Sequence, residues 1–148
     1  MANLLENRRA RFDYETSEKY DAGIELLGFE VKSLRKKQGS LEGAYVVIRG
    51  EEAFLVGAHI PPFQPTNTPE DYDPYRTRKL LLTKKEIKKL SESESQKGLT
   101  IIPISVYNKG NKLKISLVVA RGKKKFDKRE TIKKRETERE LRRSLKLG

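Results

Sequence analysis

Few residues of this sequence have side chains that could carry out a reaction. The chain has no cysteine, which excludes disulfides, cysteine nucleophiles and thiolate metal sites. Its single histidine, His59, cannot supply a pair of metal ligands, and we expect it to pack or hydrogen-bond at the end of a strand. Glu70, Asp71 and Asp73 cluster in a proline-rich segment, where acidic side chains commonly stabilise turns. We therefore expect no enzymatic activity, no metal and no cofactor, and a metal-assisted nuclease is the least favoured alternative.

Basic residues are more informative, because they form four clusters along the chain. These clusters are Arg8, Arg9 and Arg11; Lys32, Arg35, Lys36 and Lys37; Arg76, Arg78 and Lys79; and Arg121, Lys123, Lys124 and Lys125. The 148 residues include 33 Lys and Arg against 21 Asp and Glu, which gives a formal net charge of +12. This excess predicts a polyanionic partner. Aromatic residues beside the clusters favour RNA, where backbone contacts and base stacking dominate.

The positive charge is concentrated near the C-terminus. Residues 121–148 carry a net charge of +8, whereas residues 1–120 carry +4. The C-terminal segment also has few large apolar residues, so it cannot bury enough surface to offset its ordering entropy. We predict an RNA-binding globular domain over 1–120 and a basic tail over 121–148. The tail is expected to be disordered when free and helical on a phosphate-lined surface.

The elements that must position these charges are mostly short strands. About six antiparallel strands are expected in three hairpins, with arms at 12–16 and 19–27, 44–49 and 53–59, and 99–107 and 112–119. Pro103 within one arm predicts an edge or a bulge. Thr83 and Glu86 form a capping box that starts one helix, a second helix is expected over 30–38, and residues 61–78 are expected to form a long loop. The predicted fold is mainly β with α, a small antiparallel OB-like β-barrel with two or three helices.

No segment predicts insertion in a membrane. No apolar run approaches the roughly 18 residues that a membrane-spanning helix needs. The first residues lack the apolar core of a signal peptide. We therefore expect a cytoplasmic protein.

Several separate motifs resemble one known family. They are Asn7-Arg-Arg-Ala-Arg11, Tyr20-Asp-Ala-Gly23, Gly28-Phe-Glu-Val-Lys-Ser-Leu-Arg35, Asp73-Pro-Tyr-Arg-Thr-Arg-Lys-Leu-Leu-Leu82 and Gly122-Lys-Lys-Lys-Phe-Asp-Lys-Arg129. On these residues the chain resembles the SmpB family, the SsrA-binding proteins of bacterial trans-translation, from about residue 7 to residue 140. It departs from the family at Asp21, where the family usually has Glu, which keeps the charge on a shorter side chain.

The resemblance implies a division of labour between the barrel and the tail. The barrel would bind the tRNA-like domain of tmRNA (SsrA RNA). The tail would occupy the decoding site and mRNA channel of a stalled ribosome, for ribosome rescue and peptide tagging. The implied partners are therefore tmRNA, the ribosome with its small-subunit ribosomal RNA and, indirectly, elongation factor Tu and alanyl-tRNA synthetase. The alternative from the residues alone is a generic OB-like protein that binds single-stranded nucleic acid.

The resemblance and the charge clusters together give two sets of candidate binding residues. For tmRNA they are Asn7, Arg8, Arg9, Arg11, Asp21, Gly23, Glu30, Lys32, Arg35, Arg76, Arg78 and Lys79. For the ribosome they are Gly122, Lys123, Lys124, Asp127, Lys128, Arg129, Lys133, Lys134 and Arg135. Asp21 and Glu30 are expected to accept hydrogen bonds from a base or a 2′-hydroxyl, or to orient a neighbouring lysine. The alternative for Glu30 is a helix-start residue that the helix dipole favours.

Overall fold

The computed structural model describes residues 3–10, 14–63 and 68–122, in which the chain forms seven strands and two helices. The strands are β1 Asn3–Glu6, β2 Tyr14–Ile24, β3 Tyr45–Arg49, β4 Glu52–Val56, β5 Arg78–Leu81, β6 Leu99–Lys109 and β7 Lys112–Gly122. The helices are α1 Gly28–Arg35 and α2 Lys84–Glu94. Neither helix of this described part is long and apolar enough to cross a membrane.

The longest hairpin, β6–β7, confirms one of the three hairpins predicted from the sequence. Lys109 pairs with Lys112 across a turn in which Gly110 has a φ of +61°, a conformation that glycine adopts without steric cost. The register shifts between Pro103 and Ser105, so the predicted bulge is present. On the side away from β7, β6 pairs with β3 at Ile101 and with β1 from Ser105 to Tyr107, so Pro103 lies between these two pairings.

The β3–β4 hairpin is also confirmed. Arg49 pairs with Glu52, so the connecting turn contains only Gly50 and Glu51, whose φ angles are +55° and +66°. Two central residues with positive φ are typical of the type I′ turn, whose twist matches that of the flanking strands. A local glycine signal was therefore enough to locate this hairpin.

The seven strands form one antiparallel sheet that closes into a ring. The order is β1-β6-β3-β4-β5-β2-β7, and an additional β6–β7 pairing joins the two sides, which leaves β1 as a flanking strand. The main apolar core includes the fully buried Leu34, Leu55, Leu80, Leu90 and Leu117. Both helices contribute to this core, since Leu34 lies in α1 and Leu90 in α2.

A second, smaller cluster covers the outer face of β6 and β7. It consists of Ala10, Ile102, Val118 and Ala120. In a strand, successive side chains point to opposite faces, so these residues alternate with those that point into the main core. Burial on both faces explains the continuous apolar runs 101–104 in β6 and 117–120 in β7.

The predicted hairpin of 12–16 with 19–27 is wrong. Residues 14–24 instead form one strand, β2, which pairs with β7 from Tyr14–Gly122 to Gly23–Lys114. A register shift between Thr16 and Lys19 interrupts this pairing. The sequence break near residue 17 therefore marks an irregularity within a strand, not a turn between two strands.

Other elements also differ from the predictions. Strands β1 and β5 were not expected, and β5 begins at Arg78, the last residue of the expected long loop. Strand β4 ends at Val56, three residues before the expected end at residue 59. Helix α1 starts two residues earlier and ends three residues earlier than the expected 30–38. Strand β7 continues to Gly122, two residues beyond the expected end of the globular domain. Most of the expected tail lies outside the described residues.

Helix α2 begins as its capping box predicts. The Thr83 hydroxyl accepts a hydrogen bond from the Glu86 amide at 3.2 Å, and the Thr83 amide donates back to the Glu86 carboxylate at 3.0 Å. These bonds satisfy backbone donors that the first helical turn leaves free. Leu90 is fully buried, so one side of α2 packs on the core.

Candidate nucleic-acid interface

An ion-pair network centred on Glu30 joins α1 to the chain segment before β5. Glu30 lies in the first turn of α1 and is completely buried. Its carboxylate accepts six hydrogen bonds, from the Leu27 amide, the Tyr72 hydroxyl and two groups on each of Arg76 and Arg78. A buried carboxylate requires this degree of pairing, because desolvation of an unpaired charge is costly.

Two opposing effects determine the pKa of Glu30. Burial raises it, but hydrogen bonds from Arg76, the Leu27 amide and Arg78, together with the charge of Arg78, lower it more. The pKa falls from the ordinary 4.5 to about 2. Glu30 is therefore ionised at neutral pH, and it neutralises cations that would otherwise repel each other.

Arg78 extends the network into the ring. Its side chain is fully buried and donates to Glu30, to the Tyr72 hydroxyl and to the carbonyls of Ala58 and Pro74, at 2.7 to 3.0 Å. Burial and the hydrogen bond to Glu30 raise the pKa of Tyr72 to about 12, so its hydroxyl remains protonated at neutral pH. The network therefore fixes α1, the 58–60 segment and the 72–78 segment relative to one another.

Arg76 is the member of the network that reaches the surface. Its side chain is 31% exposed and bonds Glu30 through Nε and Nη2. A shallow cleft of about 520 Å³ beside it is lined by Leu26, Leu27, Phe54 and Lys79, among others. Half-exposed cations next to apolar side chains can bind a ribose-phosphate chain. Phosphate oxygens accept hydrogen bonds from Arg, and apolar side chains pack against ribose or base.

Lys32 and Arg35 are exposed on α1, close to this network in sequence and space. Arg35 donates from Nη2 to the carbonyl of Asn111 at 3.1 Å, which connects α1 to the turn of the β6–β7 hairpin. Lys79 forms an exposed ion pair with Glu52 at 3.3 Å. An exposed pair of this kind contributes little stability, so Lys79 can exchange its partner for a phosphate at low cost.

Asp21 lies on β2 near the same end of the ring. Its carboxylate is exposed and accepts a hydrogen bond from the Tyr107 hydroxyl at 2.8 Å. Burial of Tyr107, with the hydrogen bond and charge of Asp21, raises the pKa of this tyrosine to about 12. One carboxylate oxygen is thus oriented by Tyr107, while the other has no hydrogen-bond partner among the described residues. Acceptance of a hydrogen bond from RNA by Asp21 stays a prediction.

Three of the predicted tmRNA-binding residues are buried inside the protein. Glu30 and Arg78 are fully buried and contact only other parts of the chain, so RNA cannot reach them without rearrangement. Gly23 is buried between β5 and β7, and a Cβ there would lie 3.1 Å from Cβ of Leu81. These residues position neighbours in this structure rather than present a group to a ligand.

Asn7, Arg8 and Arg9 form a separate group on the outer side of β6. The Asn7 amide nitrogen donates to the carbonyls of Pro103 and Leu41 at 2.9 and 3.5 Å, so only its oxygen is left for a ligand. Arg8 and Arg9 are exposed, and each lines a cleft of about 520 to 530 Å³ next to Asn7. Asn7 lies beside the middle of β6, away from the Asn111 turn at α1. The predicted tmRNA residues therefore form two groups.

The remaining predicted residues fall mostly outside the described structure. Gly122 ends β7, where it pairs with Tyr14. Arg11, a predicted tmRNA contact, lies outside the described residues. So do the predicted ribosome contacts other than Gly122, which are Lys123, Lys124, Asp127, Lys128, Arg129, Lys133, Lys134 and Arg135.

Sequence reasoning missed the two tyrosines that orient the carboxylates. Tyr72 lies in the expected loop and Tyr107 in a strand, so neither is next in sequence to Glu30 or Asp21. From the sequence one can expect only that a buried tyrosine hydroxyl has a hydrogen-bond partner, and this expectation does not identify the partner.

No metal-binding cluster is present in the described part of the chain, where no three His, Asp or Glu side chains group together. His59 is half-buried. Its ring packs against Tyr75 with 4.8 Å between centroids, and its backbone bridges to Ser40. This agrees with the packing role expected for a histidine at a strand end.

Fold and site together define a small, basic, mainly antiparallel β protein whose surface cations are organised around a buried ion-pair network. The model of a family described as SmpB protein matches residues 4–147, so the chain belongs to the SmpB family, as its motifs indicated. It is 47% identical over 146 residues to the SsrA-binding protein of Burkholderia lata, with 99% of both chains covered. The SsrA-binding protein of Gloeothece citriformis is 48% identical over 143 residues, covering 97% of this chain and 92% of the relative.

A solved structure agrees with this assignment. The chain matches, with a TM-score of 0.70 and 42% identity, a chain from the structure described as "tmRNA-SmpB: a journey to the center of the bacterial ribosome". The match covers 88% of this chain and 95% of the other. At this identity the likeness extends to sequence as well as to fold.

Proposed function

We propose that this protein is an RNA-binding adaptor of trans-translation, which binds tmRNA and delivers it to stalled ribosomes. The observation that carries the proposal is the match to SsrA-binding proteins along nearly the whole chain. The charge distribution supports it, because the cations are divided between a folded body and a C-terminal segment. An adaptor with two polyanionic partners needs this division.

The body acts as an OB-like barrel that recognises the tRNA-like domain of tmRNA by shape. Arg76, Lys79, Lys32 and Arg35 lie around the α1 end of the ring and contact phosphates there. Asp21 accepts from a base amino group or a 2′-hydroxyl, which gives a contact that phosphate neutralisation alone does not provide. Asn7, Arg8 and Arg9 form a second contact on the outer face of β6.

Glu30 and Arg78 serve this surface indirectly. Their network holds α1 and the 72–78 segment in one arrangement, so that Arg76 and the α1 cations are presented without an ordering cost upon binding. Their role is to position neighbouring groups, and it replaces the direct contact with RNA expected for both residues from the sequence.

The tail carries the ribosomal function. Its basic residues, Lys123, Lys124, Lys128, Arg129, Lys133, Lys134 and Arg135, contact ribosomal RNA in the empty decoding site and mRNA channel, and Asp127 helps to start a helix. Occupancy of this channel requires no chemical reaction by the protein. The adaptor works in the cytoplasm, and its tmRNA cargo links it indirectly to elongation factor Tu and alanyl-tRNA synthetase.

Removal of residues 123–148 tests the division of labour. This truncation leaves β7 complete at Gly122, so the pairing of Gly122 with Tyr14 is retained. We expect tmRNA affinity within about twofold of the full chain in gel shifts at matched salt, and loss of peptide tagging on stalled ribosomes. Collapse of tmRNA binding would contradict the division. Equal affinity of the full chain for tmRNA and a single-stranded oligomer would instead support the generic single-strand binder.

A further inference from the structure

Helix α2 carries a row of lysines to which the proposed function assigns no role. Lys84, Lys85, Lys88 and Lys89 are all exposed, and we call them the α2 lysine face. At 3.6 residues per turn they occupy about 140° of the helix circumference. Leu90, which is fully buried, lies on the opposite side. The core therefore holds α2 with these four ammonium groups directed away from the ring.

This arrangement is unfavourable for the free protein. Lys84 with Lys88 and Lys85 with Lys89 are like-charge pairs four residues apart, and such pairs destabilise a helix. The lysines also lie in the first half of α2, where the helix dipole favours negative charge. A helix selected only for solubility would carry its lysines near the other end.

The acids of α2 do not compensate these charges. Glu86 accepts from Thr83 in the capping box, and Glu94 accepts from the Ile48 amide and pairs with Arg49. Only Glu92 lies within the arc of the lysines. None of the ion pairs among the described residues involves a lysine of this face. An external polyanion would supply the missing partner.

The position of α2 indicates which polyanion this is. Helix α2 leads into β6, whose first residue, Leu99, pairs with Arg121 near the end of β7. Gly98 also lies against Arg121, since a Cβ on Gly98 would be 3.6 Å from a guanidinium nitrogen. The tail therefore leaves the domain beside the C-terminal end of α2.

Helix α1 lies at the other end of the same two strands. Arg35 contacts Asn111 in the turn of the β6–β7 hairpin. Strand β7 has 11 residues, which corresponds to roughly 35 Å between its two ends. Lys84 and Lys88 line a cleft with Gly50 and Glu51 of the β3–β4 turn, whereas the Glu30 network contacts Ala58, beyond the other end of β4. The α2 lysine face therefore lies at the end of the ring opposite this network, on the side where β6 begins and β7 ends.

We propose that the α2 lysine face binds the phosphate backbone of ribosomal RNA while the α1 end of the ring carries tmRNA. The proposal rests on the proposed function, from which it takes the two RNA partners. Lysine contacts phosphate as a point charge, and the face has no aromatic side chain on which a base could stack. The contact therefore adds affinity and orientation to ribosome binding without reading sequence.

Charge neutralisation in the full-length chain tests this proposal. The α2 variant carries Lys84→Gln, Lys85→Gln, Lys88→Gln and Lys89→Gln. The matched control removes the same number of positive charges around α1 and the hairpin turn, by Lys32→Gln, Lys36→Gln, Lys109→Gln and Lys112→Gln. Each protein is assayed for co-sedimentation with purified bacterial ribosomes over a salt series, for gel shift of tmRNA, and for thermal unfolding.

We expect the α2 variant to bind ribosomes about tenfold more weakly at low salt, with the slope of log K against log salt shallower by about 2 to 4. Its tmRNA affinity should stay within twofold of the wild type. Its unfolding midpoint should be equal or higher, because the like-charge pairs are gone. The control should show the reverse pattern, with weaker tmRNA binding and unchanged ribosome binding.

Wild-type ribosome affinity and salt slope in the α2 variant would overturn the proposal. So would a loss of tmRNA affinity in that variant, because α2 would then belong to the tmRNA surface. Failure of the proposed function has a separate signature, which is a wild-type chain that binds tmRNA no better than a single-stranded oligomer at matched salt.

Discussion

Replacement of Glu30 by Gln removes the charge at the centre of the buried network while keeping the shape of the side chain. Arg78 is fully buried and depends on Glu30 for its counter-charge. Loss of one partner from a buried ion pair typically costs 3 to 5 kcal/mol, because the other charge stays desolvated without compensation. The amide of Gln would also direct hydrogens at groups that are themselves donors.

The pKa of Glu30 gives an independent magnitude. It falls from 4.5 to about 2 on folding. At 1.36 kcal/mol per pH unit, this depression corresponds to about 3 kcal/mol of stability at neutral pH. Since the folded pKa is the lower one, this stability is present above pH 4.5 and is lost as the pH falls from 4.5 through 2. We therefore expect Glu30→Gln to destabilise the fold by about 3 kcal/mol or more.

Urea unfolding at several pH values measures this effect. We expect the difference in unfolding free energy between wild type and Glu30→Gln to be largest near pH 7 and to shrink as the pH falls from 4.5 towards 2. Binding of tmRNA should weaken together with stability, because Arg76 loses its fixed position. A Gln variant that is destabilised by less than about 1 kcal/mol yet no longer binds tmRNA would refute this reasoning. That result would mean that the carboxylate contacts RNA directly.

Two further substitutions test the structure at other points. Asp21→Ala should weaken tmRNA binding about tenfold in gel shifts, with the fold intact. Tyr107→Phe removes only the hydrogen bond to Asp21 and should retain most of the affinity in the same assay. Equal losses in the two variants would argue against a direct role for the carboxylate. Gly39→Ala should cost at least about 2 kcal/mol in urea unfolding, because φ is +136° and a Cβ would lie 2.8 Å from the His59 carbonyl oxygen. Gly110→Ala, at φ +61° with open space around it, is the matched control and should cost only about 1 kcal/mol; a cost as large as that of Gly39→Ala would show that the contact with His59 is unimportant.

The sequence predicted which residues of the candidate site are charged, but it did not predict which of these charges are buried. Lys32, Arg35 and Arg76 do have exposed charge, as their polar sequence context suggested. Glu30 and Arg78 belong to equally polar stretches, yet both are buried. Their burial depends on a pairing across 48 residues, and no local pattern encodes such a pairing.

The sequence by itself determined the features that depend on neighbouring residues. The β3–β4 and β6–β7 hairpins follow from glycine-containing turns, α2 follows from its capping box, and the family follows from motifs spread along the chain. These signals act over a few residues, and long-range packing does not need to confirm them.

Only the tertiary structure decided how the parts combine. It joined 14–24 into one strand because β7 pairs along its length, and it closed the sheet into a ring through the long-range β2–β7 and β3–β6 pairings. It also turned some charged residues inward and left the α2 lysines exposed on the outside. Whether a charge is buried depends on partners that are distant in sequence, because desolvation is tolerated only where several donors or acceptors converge on the same group.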